Sequence, residues 1–136
     1  MKRTIAILLV FVLMAALFSC NKNEKNVWEN ATYTEDQIFG EGAKTVIVEV
    51  KAQDKSVTFT VKTDQETVGA ALMEHGLIAG DEGPYGLYVK KVNGMTADYD
   101  TDQRYWAFYV NGEISMTGVD VTSIAEGATY QMVYSK

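Results

Sequence analysis

The chain has 136 residues, of which 18 are acidic and 12 are basic, and its formal net charge at pH 7 is −6. This acidic balance argues against a nucleic-acid-binding protein and against electrostatic adhesion to anionic lipid. Cys20 is the single cysteine of the sequence, which excludes an intrachain disulfide.

The N-terminal segment has the composition of a signal peptide. Lys2 and Arg3 precede an uninterrupted apolar run over residues 5–18. The run is too short for a membrane-spanning helix, which needs about 20 apolar residues, and it has the length of a signal-peptide apolar region. We therefore expect residues 1–19 to be removed from the mature protein.

The apolar run ends in Leu17-Phe18-Ser19-Cys20, which resembles the lipobox of bacterial lipoprotein precursors. The resemblance implies a diacylglycerol on the Cys20 sulfur and cleavage after Ser19. The alternative is a signal peptide followed by an incidental free cysteine, which would be an exposed reactive thiol. The resemblance predicts a lipoprotein anchored at the extracytoplasmic face of the cell membrane, with lipid as its one covalently bound group.

Removal of residues 1–19 leaves 117 residues, the size of one ordinary domain. Ten basic and all 18 acidic residues remain, so the mature chain carries −8, and membrane attachment is expected from the lipid alone. Residues 20–43 are predicted to be a tether, whose polar first part has nothing to bury. Residues 27–43 also contain aromatic and aliphatic side chains that could dock on the domain. With about 20 flexible residues the reach is ~25 Å.

The predicted domain covers residues 44–136 and opens with two alternating segments. Residues 46–50 and 57–61 alternate apolar and polar side chains, which predicts two β-strands. Gln53-Asp54-Lys55 between them predicts a turn, so that the strands form an antiparallel hairpin. Apolar positions then recur at helical spacing over residues 68–75, where Asp64 or Thr67 can cap the start and Gly76 suits a left-handed helix end.

Further strands follow the helix. Asn111-Gly112 is a strong signal for a type I′ hairpin turn. The remaining predicted segments are a loop over 80–84, a strand over 85–92, an acidic loop over 98–103, a strand over 105–110 and a strand over 128–134. The order β-β-α-β-β-β predicts an α+β, β-grasp-like domain with one short helix packed on a mixed sheet. We expect Val48, Phe59, Val68 and Leu72 to be buried together.

Three short pieces carry a resemblance to a known family. They are Gly83-Pro84-Tyr85, which enters the strand ending at Val92-Asn93-Gly94; Tyr105-Trp106-Ala107-Phe108; and Gly118-Val119-Asp120. Their order and spacing resemble the C-terminal domain of transcobalamin and intrinsic factor, and bacterial domains that share the pattern. The resemblance covers residues 44–136 and implies a small β-domain that closes over one side of a corrinoid. In the carriers a large helical domain holds the other side, and we expect none in this chain.

The resemblance also implies a set of ligand-facing positions. They are Tyr85, Leu87, Tyr105, Trp106, Phe108, Met116, Thr117, Gly118 and Val119. The carriers typically have glutamine at the position of Ala107. The alanine in this chain lacks the polar contact that the glutamine could make. Because strand 105–110 bears large aromatic side chains on both faces, one face needs a cover. Loop 113–124 or segment 27–43 could supply it, or the face could be an apolar platform for a planar ligand or a partner.

Other candidate sites have simpler explanations. Asp98, Asp100 and Asp102 alternate as in a calcium loop, but Gln103 and Tyr109 replace the glycine and glutamate that an EF-hand requires. A solvated acidic loop is the better interpretation, and His75 at a helix end is favoured by the helix dipole. We expect no metal site. The sequence has no nucleophile elbow, Cys/His pair or phosphate loop, so we expect no catalytic residues and no enzyme activity.

Two functions from different classes remain. The first is capture of a small ligand, cobalamin or another corrinoid or a different flat molecule, for delivery to a membrane vitamin transporter. The second is a non-catalytic module that binds another surface protein or a cell-surface polymer. The first is favoured because the matching pieces lie where the carriers contact their ligand, although fold alone does not decide function.

The lipobox prediction is tested by Cys20→Ser. Because the variant lacks the sulfur that would carry the lipid, we expect release of the protein from membranes or accumulation of an uncleaved precursor. Membrane fractionation and intact-mass measurement check this. Processing and membrane association equal to the wild type would reject the lipobox interpretation.

Overall fold

The computed structural model describes residues 25–136, so the predicted signal peptide and Cys20 lie outside the described residues. Within them, no helix has the length and apolar character needed to cross a bilayer. The strands are β1 (Gln37–Phe39), β2 (Lys44–Ala52), β3 (Lys55–Thr63), β4 (Ile78–Gly83), β5 (Gly86–Val92), β6 (Met95–Thr96), β7 (Tyr105–Val110), β8 (Glu113–Ile114) and β9 (Thr129–Ser135). The α-helices are α1 (Val68–Glu74) and α2 (Tyr99–Asp102), and 3₁₀ helices cover Val27–Asn30 and Val119–Val121.

The strands form two sheets. The larger sheet has six strands in the order β1-β3-β2-β9-β7-β8, and the smaller has the order β4-β5-β6. In the larger sheet β1 pairs parallel with β3 and β2 pairs parallel with β9, while the other pairs are antiparallel. The predicted α+β class and mixed sheet are confirmed. The sequence did not predict that β4, β5 and β6 separate into a sheet of their own.

The β2–β3 hairpin follows directly from its alternating sequence. Antiparallel register runs from the pair Lys44 and Thr63 to the pair Ala52 and Lys55. Its inward side chains are almost inaccessible to solvent: Val46, Val48, Val50, Val57, Phe59 and Val61. Gln53 has a positive φ of 55° at the turn, which closes the hairpin in two residues.

Helix α1 begins and ends where its sequence signals predict. The Thr67 hydroxyl accepts a hydrogen bond from the Ala70 amide at 3.2 Å, which satisfies one of the free N–H groups of the first turn. Gly76 follows the helix with φ of 66°, a conformation that costs glycine little. The buried face packs into the main core together with Val48 and Phe59, as expected, through Val68, Ala71 and Leu72.

Two segments that were predicted to be loops have regular structure. Residues 80–83 belong to β4, in which every residue after Ile78 is exposed and a bulge follows Ala79, so the sequence shows no alternation there. The acidic segment forms the single turn α2, because the Asp98 side chain accepts from the Asp100 amide at 3.0 Å. Hydrogen bonds from Thr101 and Asp100 lower the pKa of Asp98.

Part of the predicted tether is packed on the domain. Trp28 is 7% exposed and its indole N–H donates to the Ala52 carbonyl at 2.8 Å. Tyr33 and Phe39 make edge-to-face contacts with Phe59, at centroid distances of 5.8 and 5.7 Å. The sequence left open whether residues 27–43 dock; residues 27–39 do. The tether length expected from about 20 flexible residues is therefore wrong, because residues 27–39 are packed against the domain and cannot extend from it.

The core is tested at Phe59, which is fully buried between the hairpin and the docked segment. We expect Phe59→Ala to lower the free energy of unfolding by about 3–5 kcal/mol, since the lost ring leaves a cavity. Ile38→Ala is the matched control on β1: Ile38 is 75% exposed, so its effect should stay within about 0.5 kcal/mol. Urea denaturation measures both, and equal effects would contradict this packing.

Candidate functional site

Two chain segments that carry predicted ligand residues meet at Asp120. One is the turn between β4 and β5, and the other is the loop that follows β8. The Asp120 carboxylate accepts a hydrogen bond from the Leu87 amide through Oδ2 at 3.1 Å. A Cβ on Gly86 would lie 2.7 Å from the same oxygen, and Gly86 has φ of 102°, so only glycine suits this approach. Asp120 therefore joins the two segments.

The loop after β8 is held in one shape by its own hydrogen bonds. The Ser115 amide donates to the Phe108 carbonyl at 2.9 Å, and the Ser115 hydroxyl accepts from the Thr117 amide at 3.1 Å. At the far end, the Thr122 hydroxyl donates to the Gly118 carbonyl at 2.8 Å. These bonds order residues 115–122 locally and leave the side chains of Met116, Thr117 and Val121 exposed to solvent.

We define the rim as Tyr85, Leu87, Met116, Thr117 and Gly118. Tyr85 is 94% exposed and Met116 is 95% exposed, which is unusual for large apolar side chains. Thr117 is also exposed, and Leu87 is half-buried against the core. Six of the nine predicted ligand positions thus lie on segments that contact one another, and five of them, all except the buried Val119, form the rim, with the Tyr85 and Met116 side chains exposed for contact.

Three predicted ligand residues lie instead in the core. Trp106 is 6% exposed and its indole N–H donates to the Met95 carbonyl at 3.2 Å. Phe108 stacks on Tyr130 with a centroid distance of 6.0 Å, and Val119 is 2% exposed. These side chains offer almost no surface to a ligand. The reason is strand alternation, which turns positions 106 and 108 of β7 inward.

Tyr105 lies on the opposite face of the large sheet from Trp106 and is half-buried. It is therefore not part of the rim. The sequence suggested that segment 27–43 or loop 113–124 could cover the second aromatic face of β7. Residues 27–39 pack into the core instead, and residues 113–114 extend the edge of the sheet as β8. This outer face also carries Ile47 and Ile114, which are 40% and 56% exposed.

The second oxygen of Asp120, Oδ1, is buried and has no hydrogen-bond partner among the described residues. The carboxylate therefore keeps unused accepting capacity beneath the rim. Asp120 is not among the ligand positions predicted from the sequence. A signal was present in Gly118-Val119-Asp120 and in Gly86, since glycines beside a carboxylate permit close backbone approach.

Residues 25–136 contain no group of three or more His, Cys, Asp and Glu side chains arranged to hold a metal ion. The His75 imidazole stacks on Phe39 with a centroid distance of 5.5 Å, and its Nε2 lies 3.3 Å from Glu74 Oε1. His75 belongs to the β1 side of the core and not to the rim. What the rim can do chemically is to offer apolar contact through the exposed side chains of Tyr85 and Met116.

The Asp120 link is tested by Asp120→Ala. Because the Leu87 amide would lose its acceptor, we expect faster hydrogen exchange at Leu87 and a loss of about 1–3 kcal/mol in unfolding free energy. Asp64→Ala is the control: its side chain accepts from the Ala43 amide at 3.0 Å in an exposed position, so the cost should stay within about 0.5 kcal/mol. Unchanged exchange at Leu87 would refute the link.

Comparison with known proteins agrees with this architecture. A structure from Ruminococcus gnavus ATCC 29149, described as a candidate metal-binding protein, is 29% identical, has a TM-score of 0.65, and the match covers 69% of this chain and 98% of that one. Haptocorrin in complex with Cbi is 17% identical with a TM-score of 0.55, and the match covers 72% of this chain and 26% of haptocorrin. This second likeness shows a transcobalamin-like fold.

A search of curated proteins found no match. Residues 65–136 match the family model described as "Domain of unknown function (DUF4430)". The match covers more than half of the chain and includes helix α1, both rim segments and the C-terminal strand. The chain therefore belongs to the DUF4430 family.

Proposed function

We propose that the protein is a lipid-anchored, non-catalytic binding protein that captures a flat organic ligand of the corrinoid class on its rim and passes it to a membrane transporter. The observation that carries the proposal is the near-complete exposure of Tyr85 and Met116 on two segments joined by Asp120. Large apolar side chains held exposed on ordered segments favour binding over a purely structural role.

The chemistry of the rim suits a broad, partly apolar ligand. A tyrosine ring gives a large contact area and loses little rotamer freedom on binding. Methionine is flexible and polarizable, so Met116 can adapt to an irregular surface. A corrinoid combines a flat apolar ring with amide side chains, and it carries its own cobalt.

The comparisons support this ligand class. Haptocorrin was solved with Cbi, and the Ruminococcus gnavus protein is described as a candidate metal-binding protein. A cobalt-containing corrinoid is consistent with both descriptions. The rim covers one side of such a ligand, so tight binding requires a second surface from a partner such as the transporter.

Anchoring is the second part of the proposal. Cys20 precedes the first described residue, Lys25, by five positions. A lipid on its sulfur would keep the domain beside the membrane and raise the effective concentration of the rim near a transporter. The support is the Leu17-Phe18-Ser19-Cys20 sequence.

A second candidate function rests on a different surface. The outer face of the large sheet presents partly exposed aliphatic side chains at Ile38, Ile47 and Ile114. Such a face suits a non-catalytic module that binds another surface protein or a polymer. This function would use the sheet face and leave the rim without a ligand.

The two functions are separated by titrating cobalamin and cobinamide into the protein by calorimetry. We expect one-sided binding on the order of micromolar, or about −8 kcal/mol. Tyr85→Ala combined with Met116→Ala should weaken it at least about fivefold, since each removes a central contact. The matched control is Tyr99→Ala with Ile38→Ala, which removes two exposed apolar side chains, 58% and 75% exposed, that lie outside the rim.

No heat from the folded protein, alone or with the transporter, would reject the corrinoid proposal and favour the interaction module. Binding that survives the rim variant would keep the ligand and reject the rim as its site.

A further inference from the structure

We propose that a basic cleft, separate from the rim, docks an anionic phospholipid headgroup and so orients the anchored domain on the bilayer. The cleft has a volume of about 510 Å³. Its charged lining side chains are Lys25, Arg104, Lys136 and Asp102. Three cations against one carboxylate give these side chains a net charge of +2, in a chain whose net charge is −6.

The wall of the cleft is built to hold Arg104 in place. The guanidinium carbon lies 5.4 Å from the ring centroid of Tyr134, within cation–π range. Tyr134 in turn contacts the buried Trp106 at a centroid distance of 5.4 Å. Burial raises the pKa of Tyr134, while the charge of Arg104 acts in the opposite direction. The phenol is therefore neutral at pH 7 and adds no negative charge to the cleft.

The chain enters the domain at this cleft. Gln53, which also lines it, donates through Nε2 to the Lys25 carbonyl at 2.8 Å and accepts from the Val27 amide at 3.4 Å. These two bonds fix the entry point of the N-terminal segment beside the cations. Asn30 and Thr96 complete the polar wall.

The short distance between the cleft and the proposed anchor at Cys20 favours a membrane phospholipid as the occupant of the cleft. Cys20 lies five residues before Lys25, and at most about 3.6 Å per residue limits their separation to ~18 Å whatever the path. If Cys20 carries a lipid, the cleft is always held near the headgroups. The rest of the mature chain is acidic and would be repelled by an anionic bilayer, so this cleft is the surface that charge complementarity selects. This inference rests on the proposed anchoring.

The test uses the complete lipidated protein in vesicles of phosphatidylcholine alone or mixed with phosphatidylglycerol. An amine-reactive reagent and peptide mass mapping report the accessibility of Lys25 and Lys136. We expect several-fold slower modification of both in the anionic vesicles, and loss of this protection near 1 M salt, where screening acts within ~3 Å. Equal modification in the two vesicle types, with the protein shown to be membrane-bound, would overturn docking and leave anchoring intact. Absence from both vesicle types would refute anchoring itself.

Variants separate a specific cleft from diffuse charge. Arg104→Gln should weaken docking about fivefold, the effect of one basic residue at an anionic surface, and Arg104→Lys should restore most of it. Lys62→Gln is the control, because this substitution also removes one positive charge. Lys62 pairs with Thr45 near the other end of the β2–β3 hairpin. An effect of Lys62→Gln equal to that of Arg104→Gln would overturn the cleft.

Soluble phosphate is the alternative ligand, because it carries the same charged group as a phospholipid headgroup. In phosphatidylcholine vesicles, millimolar inorganic phosphate should leave Lys25 and Lys136 accessible if a headgroup is the occupant. Protection by phosphate alone, equal to that in anionic vesicles, would overturn the headgroup proposal in favour of a site for soluble anions.

Discussion

The parallel pairing of β2 with β9 is the constraint on which the rest of the structure depends. It joins Ile47–Lys51 to Thr129–Val133 and is the one link in the large sheet between the N-terminal hairpin and the C-terminal strands. Because both strands are paired on each side, their inward side chains are sealed; Val48, Val50, Tyr130 and Met132 are each 1% exposed. A parallel ladder needs a long connection, and that connection contains helix α1, the small sheet and the rim.

The same pairing decides which aromatic face of β7 is buried. Antiparallel pairing with β9 sets Trp106 opposite Tyr134 and Phe108 opposite Met132, so both rings enter the core and Tyr105 turns outward. The loop of residues 115–122, which carries part of the rim and is called the rim loop below, then begins from a fixed position. The Ser115 amide donates a hydrogen bond to the Phe108 carbonyl. The rim therefore depends on the core for its shape, although its exposed side chains contribute little to stability.

Local sequence patterns predicted the local elements well. The alternation over 46–61, the Thr67 cap and the Asn111-Gly112 turn each act within a few residues; Asn111 and Gly112 both have positive φ, as a type I′ turn requires. The sequence predicted a mixed sheet but not which strands pair in parallel, and it left the docking of residues 27–43 open, because neither feature leaves a local pattern. Alternation in β7 identified two faces without showing which is buried. The basic cleft was invisible because Lys25, Arg104 and Lys136 are brought together only by folding.

The topology also separates the two proposed sites. The cleft lies where β2 and β9 end, beside Gln53, because β2 and β9 run parallel. The rim loop continues to the opposite end of the hairpin, where the Ile124 amide donates to the Glu66 carbonyl shortly after β3 ends. A nine-residue strand such as β2 spans about 30 Å. A cleft docked on headgroups would thus direct the rim away from the bilayer, where a ligand can approach it and a partner can close over the uncovered side.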